Sequence, residues 1–185
     1  MTGDDFLAQF RQMRQGAFRL ELRDRYNVPG EKDRWDAFRA RDWPRLDKLN
    51  EVERAAWLDL MREVTSAGRR VERVRVITEP PSDYIQFELY QNAGNAAAGE
   101  DIRYLPRGQA AGLDLPDVDY WLFDGSAAVV LRFDDDDMLT GMELVDEPAT
   151  VAELCAGRDT AWSHAVPYPE YAKKWAHLAE SPPSA

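Results

Sequence analysis

The sequence is poor in the residues that carry much of protein chemistry. It has one cysteine, Cys155, and two histidines, His164 and His177, among 185 residues. A single cysteine excludes an internal disulfide and is typical of a reducing compartment. Neither histidine belongs to a spaced set of Cys, His and Glu residues, which argues against a zinc site. We therefore predict no resident metal and no cofactor.

The sequence also lacks the motifs of nucleotide binding and of serine catalysis. It contains no P-loop, no G-x-G-x-x-G loop and no serine in a G-x-S-x-G setting. His164 follows Asp159 by five positions, and this pair is the remaining candidate for a hydrolase. A hydrogen-bonded structural histidine is the simpler interpretation, so the sequence predicts no catalytic residue.

Long apolar runs and a secretion signal are missing too. No run approaches the roughly 18 apolar residues that a membrane span needs. The start, MTGDDFLAQF, has no basic region followed by an apolar stretch. We expect a soluble cytoplasmic protein that does not contact a membrane.

Basic residues are scarce in the second half of the chain. Residues 1–75 carry 17 basic and 14 acidic side chains, whereas residues 76–185 carry 6 basic and 20 acidic ones. The acidic half would repel phosphates, so we expect no direct binding of nucleic acid. The charge asymmetry suits docking of the two halves within the fold, or an acidic protein partner.

The central stretch predicts short strands joined by a helix. β-Branched residues fill 71–77, a helix is predicted from Ser82 or Asp83 onward, and residues 101–105 form the next predicted strand. The helical connection favours parallel pairing of these strands. Two later strands flank an Asp-Gly turn at Asp124, which is typical of a hairpin.

The fold class predicted from this order is α/β, a mixed sheet with helices on its faces. A further strand is predicted at 142–145, followed by a helix that begins at Pro148. We divide the chain into an N-terminal helix and strand segment at 1–67, a central unit at 68–178 and a disordered tail at 179–185.

The N-terminal segment predicts a helix, a strand and further helices. Asp4 or Asp5 is the predicted cap of the first helix. Residues 18–23 alternate between apolar and charged side chains, which predicts a half-buried strand. Asn50 is the predicted cap of a longer helix that ends at Gly68.

Segments from almost the whole chain together resemble an actinobacterial family that is a domain of unknown function. The resemblance runs from about Phe6 to Tyr171, and it implies a bacterial cytoplasmic protein encoded near helix-turn-helix regulators. It implies no activity. The segments that carry it are GRRVERVRVITEP, SDYIQFEL, GEDIRYLPR, DYWLFDG, FDDDD, ELVDEP and AVPYPEY.

The central unit is also similar in plan to one half of a phospholipase D-like fold. That fold carries an H-x-K-x(4)-D motif. When its aspartate is aligned with Asp124, Asp119 stands in place of the lysine and Asp117 in place of the histidine. The resemblance implies a degenerate copy that cannot cleave phosphodiesters, and it makes a homodimer plausible because such halves pair.

One candidate ligand-binding cluster stands out among the polar residues. Arginines at alternate strand positions can grip a carboxylate or phosphate in bidentate fashion. They can equally form a cross-strand ion-pair ladder with Glu79 or Glu88. The cluster consists of Arg19, Arg23, Arg25 and Tyr26.

Two further segments invite a functional interpretation. The run Asp134–Asp137 lacks the alternation and the glycine of a calcium loop, so an exposed acidic turn is predicted instead of a metal site. Aromatic residues near the C-terminus, Tyr168, Tyr171 and Trp175, are a predicted interaction surface.

The function predicted from these observations is a non-enzymatic regulatory or protein-interaction module, linked to a helix-turn-helix system. Its partner would be another protein or a second copy of the chain. A small-ligand-sensing domain that uses the Arg/Tyr cluster is the alternative, and a hydrolase that uses Asp159 and His164 is a third.

Overall fold

A seven-stranded sheet lies at the centre of the molecule, in a computed structural model that describes residues 1–176. In chain order the strands are β1 (Gly16–Glu21), β2 (Arg70–Ile77), β3 (Glu100–Pro106), β4 (Asp119–Phe123), β5 (Ala127–Phe133), β6 (Leu139–Val145) and β7 (Val166–Pro167). They are ordered β6-β5-β4-β1-β2-β3-β7 across the sheet. The β1–β2 and β2–β3 pairs are parallel and the others are antiparallel. The predicted mixed α/β sheet is therefore confirmed.

Helices cover both faces of this sheet. They are α1 (Gly3–Gln12), α2 (Lys32–Arg39), α3 (Trp43–Glu53), α4 (Ala55–Ser66), α5 (Asp83–Ala97), α6 (Arg107–Ala110), α7 (Pro148–His164) and α8 (Tyr168–Trp175), with a 3₁₀ turn at Pro29–Glu31. Residue His177 and the tail predicted for 179–185 lie outside the described residues.

The N-terminal segment supplies the middle strand of the sheet as well as part of its helical cover. β1 lies between β4 and β2, and five of its six residues are buried. The prediction of a half-buried strand was wrong because both faces are covered. Ala17 packs with α1 and α4 on one face, and Leu20 packs with α7 on the other.

Two helix starts differ from their predictions. The first helix is capped by Thr2, whose hydroxyl accepts from the Asp5 amide while the Asp5 carboxylate accepts from the Thr2 amide. Asp5 is thus the third residue of the helix and not its cap. Asn50 lies inside α3, which begins directly after Asp42 because the Asp42 side chain accepts from a first-turn amide.

None of the helices between residues 1 and 176 combines the length and the apolar character that a membrane crossing requires.

Candidate functional site

A cleft of about 620 Å³ lies between the sheet and the helices α1, α4 and α5. A second groove, of about 770 Å³, lies between α3, α4 and α5. We take the first as the candidate site because buried charged side chains of the sheet, among them Arg19 and Glu21, line it. The polar residues that line the 620 Å³ cleft are Arg19, Glu21, Tyr26, Glu31, Arg34, Glu53, Arg54, Arg73, Arg75, Tyr84, Glu88, Gln91 and Asn95.

The floor of the cleft is a charged patch on two neighbouring parallel strands. Arg19 and Glu21 are two positions apart on β1 and therefore point to the same face of the sheet. In the register of the sheet, Arg19 lies opposite Arg73 of β2 and Glu21 lies opposite Arg75. All four side chains are buried.

Glu21 is the centre of this patch. Its carboxylate lies 2.6 Å from Arg73 Nη1, 3.0 Å from Arg75 Nε and 3.5 Å from Arg19 Nε. Burial alone would raise the pKa of Glu21, but the attraction of the three guanidinium groups outweighs burial and holds the pKa at about 2. Glu21 is therefore ionised at every physiological pH.

Each arginine of the floor also pairs with a second acid. The ladder predicted between the Arg19, Arg23 and Arg25 cluster and Glu79 or Glu88 does not form within residues 1–176. Glu88 lies on α5 and pairs with Arg75, and Glu79 pairs with Lys174 at 2.8 Å. Burial makes these pairs strongly interdependent, because removing one partner leaves an uncompensated charge. The outer pairs are Arg19–Asp119 at 2.8 Å, Arg73–Glu100 at 2.7 Å and Arg75–Glu88 at 2.5 Å.

Asp119 joins two of the residues that the sequence singled out. Its Oδ2 accepts from Arg19 Nη2 at 2.8 Å and from the Tyr26 hydroxyl at 2.6 Å, and its Oδ1 accepts from the Leu22 amide at 3.1 Å. Burial, followed by the charges of Glu21 and Asp119, raises the pKa of Tyr26, so its hydroxyl stays a donor.

Two donors of this network, Arg19 Nη1 and Arg75 Nε, make no hydrogen bond among residues 1–176, and neither do the acceptors Glu21 Oε2 and Glu100 Oε2. Arg75 Nε still lies 3.0 Å from Glu21 Oε2 as an ion pair, whereas Arg19, which is only 4% exposed, has no partner at Nη1 within the described residues. A buried donor that is left unsatisfied costs about 1–3 kcal/mol, and more when the group is charged. Arg19 lines the cleft, but this nitrogen exposes less than 1 Å², so only an acceptor that enters between the lining side chains could satisfy it.

The other two members of the predicted cluster lie elsewhere. Arg23 pairs with Asp137 and lies 5.1 Å from the centre of the Phe133 ring, and Arg25 is exposed. Neither residue lines the cleft. β1 ends at Glu21, so the alternation that keeps Arg19 and Glu21 on one face does not continue.

An apolar wall lies beside the charged floor, on the neighbouring strands β4, β5 and β6 of the same sheet. Trp121 of β4 lies directly opposite Arg19 in the register, and Leu131 of β5 and Met142 of β6 lie further out. Phe133 is partly buried and also lines this wall. The cleft is therefore polar on one side and apolar on the other.

Two arginines of the site, Arg34 and Arg54, come from the helical segments and were not among the predicted site residues. Arg34 of α2 donates to Glu53 at 2.9 Å and to Gln91 of α5, and Arg54 donates to the Gln91 carbonyl at 2.9 Å and to Asn95. Arg34 lies three positions before the buried Ala37, so a charged residue on an apolar helix face was the available signal.

Glu31 is the acid of the cleft that titrates near neutral pH. Burial, followed by repulsion from Glu88, raises the pKa of Glu31 to about 7, although Arg34, Tyr84 and Arg75 oppose this rise. Its Oε2 accepts from the Tyr84 hydroxyl at 3.0 Å. The charge of the cleft therefore changes over the physiological pH range.

We expect Glu31→Gln to raise the free energy of unfolding by about 1–2 kcal/mol at pH 8 and to change it little at pH 5. Folded Glu31 keeps its proton up to about pH 7, whereas the unfolded chain releases it near 4.5. Wild-type stability should therefore fall as the pH rises through this window, and glutamine removes that loss.

Urea unfolding at the two pH values measures this difference. The exposed Glu153→Gln on α7 is the control, and its effect should be small at both pH values. An effect of Glu31→Gln that is equal at pH 5 and pH 8 would contradict the role of its ionisation.

The aspartate run forms the exposed turn that was predicted. Asp134 Oδ1 accepts from the amides of Asp136 and Met138, and Asp137 has a positive φ of 61° and pairs with Arg23. Within residues 1–176, no group of three or more His, Cys, Asp or Glu side chains is placed to hold a metal ion.

The histidine considered for a hydrolase lies at the C-terminal end of α7, away from the cleft. The Nδ1 of His164 is 2.8 Å from the Thr160 carbonyl and 3.1 Å from the Ser163 hydroxyl. Asp159 accepts from Arg158 at 2.8 Å. The contacts recorded for these two residues therefore do not join them as a pair.

The predicted aromatic interaction surface is in part a packing cluster. Tyr171 is buried, stacks on Tyr104 with ring centres 4.5 Å apart, and donates to Glu79 at 3.0 Å. Tyr168 and Trp175 pack beside it and are partly buried. Placing Tyr171 on the surface was wrong, because α8 folds back on β3 and covers it.

The three acids aligned with the phospholipase D-like motif do not meet. Asp119 is buried at the start of β4, Asp117 is exposed before it, and Asp124 lies in the turn after it. An extended strand separates Asp119 from Asp124 by roughly 16 Å. The structure gives this alignment no support.

Comparison with known proteins adds a family but no activity. A family model described as a domain of unknown function (DUF6879) matches residues 4–173. No curated protein matches the chain. The predicted membership of a domain-of-unknown-function family, along nearly the whole chain, is confirmed.

Proposed function

We propose, from the premise that this chain belongs to the DUF6879 family of unknown function, that it is a small-ligand-sensing domain with a non-enzymatic, regulatory role in the bacterial cytoplasm. The observation that carries the proposal is Arg19, a buried guanidinium with an unpartnered Nη1 in a cleft of about 620 Å³. The regulatory part, including a protein partner that receives the signal, rests on the resemblance to a family encoded near regulators.

The cleft has the general character of a small-molecule site. Such sites are concave, carry apolar and aromatic walls, and contain a few placed polar groups and perturbed pKa values. Here Trp121 and Phe133 line the apolar side, Arg19 provides the free donor, and Glu31 has the perturbed pKa. These features support ligand binding over a purely structural ion-pair network.

The pairing of the floor residues favours binding over catalysis. Glu21 is locked in its ionised form by three guanidinium groups, so it is a poor general base at neutral pH. A rigid floor of this kind holds Arg19 in one orientation, and preorganisation of that kind strengthens binding.

We expect wild-type protein to retain at least one compound from a library of small polar metabolites in affinity selection followed by mass spectrometry. At a ligand concentration of about 100 times Kd, stability should rise by about 2.7 kcal/mol. For a chain of this size, that corresponds to a Tm increase of about 5–10 °C.

Two matched variants locate the site. Val28 is 46% exposed and lines the cleft, so Val28→Trp should obstruct the cleft without disturbing the core and should abolish retention. Val52 is 72% exposed on α3 and does not line the cleft, so Val52→Trp should retain the same compounds as wild type. Equal retention by both variants would show that the cleft is not the site.

A further inference from the structure

We propose that the cleft binds a small organic carboxylate with an aromatic or aliphatic body, and that its carboxylate accepts hydrogen bonds from Arg19. This inference rests on the ligand-sensing function proposed above and names the class of ligand. It follows from where Arg19 lies, which of its donors are free, and how the charges of the cleft balance.

Arg19 lies on the boundary between the two halves of the cleft. On β2, Arg73 lies opposite it in the parallel register, and on β4, Trp121 lies opposite it in the antiparallel register. Side chains directly opposite each other on neighbouring strands are about 5 Å apart at Cβ. A ligand that binds Arg19 through one end therefore places its body towards β4. There the body lies beside the Phe6 and Trp57 rings, which pack on the buried Trp121.

The free donors of Arg19 suit a carboxylate. Its Nη2 donates to Asp119 at 2.8 Å and its Nε lies 3.5 Å from Glu21, whereas Nη1 has no partner. A guanidinium is always charged, and its hydrogen bonds to carboxylates are roughly twice as strong as neutral ones. A carboxylate oxygen is therefore the acceptor that gains most at this nitrogen.

The wall beyond Arg19 suits an apolar body. Trp121 is only 4% exposed, with Arg73 5.3 Å from its ring centre, so the accessible part of the wall is formed by its neighbours. The wall residues that are partly buried and line the cleft are Phe6, Trp57, Phe133 and Met142. An aromatic or aliphatic group can pack on these side chains while its carboxylate stays at the floor.

Charge balance sets a condition on such a ligand. Five arginines and four glutamates line the cleft, and two more acids, Asp119 and Glu100, contact Arg19 and Arg73 from outside it. The network is thus close to neutral, and a bound carboxylate adds one negative charge. The added negative charge favours protonation of the acid in the cleft whose pKa is highest.

Glu31 is the group that can take up this proton. It faces Arg34 on α2, Tyr84 and Glu88 on α5, and Arg75 on β2. Glu88 repels its ionised form, and a ligand carboxylate in the same cleft would repel it further. Binding of a carboxylate should therefore strengthen as the pH falls through about 7, whereas binding of a neutral analogue should not.

The test compares two probes of the same shape, 3-phenylpropanoate and 3-phenylpropanamide, by isothermal titration calorimetry at pH 6 and pH 8. We expect the carboxylate to bind more tightly than the amide. Its affinity should be up to about tenfold higher at pH 6 than at pH 8, whereas the affinity of the amide should be constant.

Two variants test the residues. Arg19→Lys keeps the charge beside Asp119 but loses the free Nη1. We therefore expect the affinity for 3-phenylpropanoate to fall about tenfold. Arg132→Lys, on the exposed pair with Glu143, is its control and should bind as wild type does. Glu31→Gln should keep carboxylate binding but lose its pH dependence.

The outcomes separate this inference from the proposed function. Tighter binding of the amide, or selection from the metabolite library of cleft ligands that lack a carboxylate, would overturn the ligand class and leave ligand sensing intact. If no probe binds and the library yields no ligand that Val28→Trp excludes, ligand sensing itself fails.

Discussion

Replacing Glu21 by glutamine is expected to lower the free energy of unfolding by about 3–5 kcal/mol, the cost of breaking a buried ion pair by removing one partner. The carboxylate of Glu21 is within 3.5 Å of three guanidinium groups that are all at least nine-tenths buried. Glutamine keeps the shape but leaves Arg73 and Arg75 without their shared counter-charge.

The matched control is Glu143→Gln. Glu143 pairs with Arg132 at 2.9 Å, nearly the same distance, but both side chains are more than half exposed. Exposed pairs contribute about 0–1 kcal/mol, so this variant should unfold close to wild type. Urea denaturation of the three proteins at pH 7 measures the difference.

The pH dependence of the Glu21 effect provides a second check. Because its pKa is held at about 2, well below the ordinary 4.5, ionised Glu21 stabilises the fold above pH 4.5. That stabilisation is lost as the pH falls from 4.5 towards 2. The difference in free energy of unfolding between Glu21→Gln and wild type should therefore become smaller in acid. A difference that stays constant would mean that lost packing, not lost charge, causes the effect.

Replacing Asp124 by alanine is expected to lower the free energy of unfolding by about 2–4 kcal/mol, through lost charged hydrogen bonds and a strained backbone. The Asp124 carboxylate accepts from the amides of Arg14 at 2.8 Å, Gln15 at 2.7 Å and Gly16 at 3.1 Å. It thereby ties the linker between α1 and β1 to the β4–β5 turn.

Two further substitutions separate the causes. Asp124 has a φ of +54°, which glycine adopts freely and alanine does not. Asp124→Gly removes the hydrogen bonds but relaxes the backbone. It should therefore lower the free energy of unfolding by less than Asp124→Ala does. Asp124→Asn keeps one acceptor oxygen and tolerates this φ, so it should lower the free energy of unfolding least of the three variants. An alanine variant within about 0.5 kcal/mol of wild type would refute the role of this turn.

Local patterns predicted most of the secondary structure correctly. The β-branched run became β2, the Ser82 cap begins α5, and the Asp124-Gly125 turn joins β4 to β5. Each of these signals involves neighbours within a few residues. The start of α1 was misassigned because Thr2, Asp4 and Asp5 all have side chains that can cap a helix, and sequence alone does not rank them.

The candidate site was predicted only in part. Arg19 and Tyr26 were singled out and both line the cleft, but the partners that make them a site lie far away in the chain. Arg19 meets Asp119 at a separation of 100 residues, and Glu21 meets Arg73 at a separation of 52. No periodicity within β1 can specify contacts at such separations.

The amino-acid sequence by itself determined the α/β class, the strands and helices, and the shortage of metal-binding and catalytic motifs, because these depend on side-chain type and on near neighbours. Only the tertiary structure decided that the polar side of β1 is buried and not solvated. Glu21 and Arg19 leave water only where β2, β4 and α5 bring opposite charges within hydrogen-bonding distance, and that condition is met by the fold as a whole.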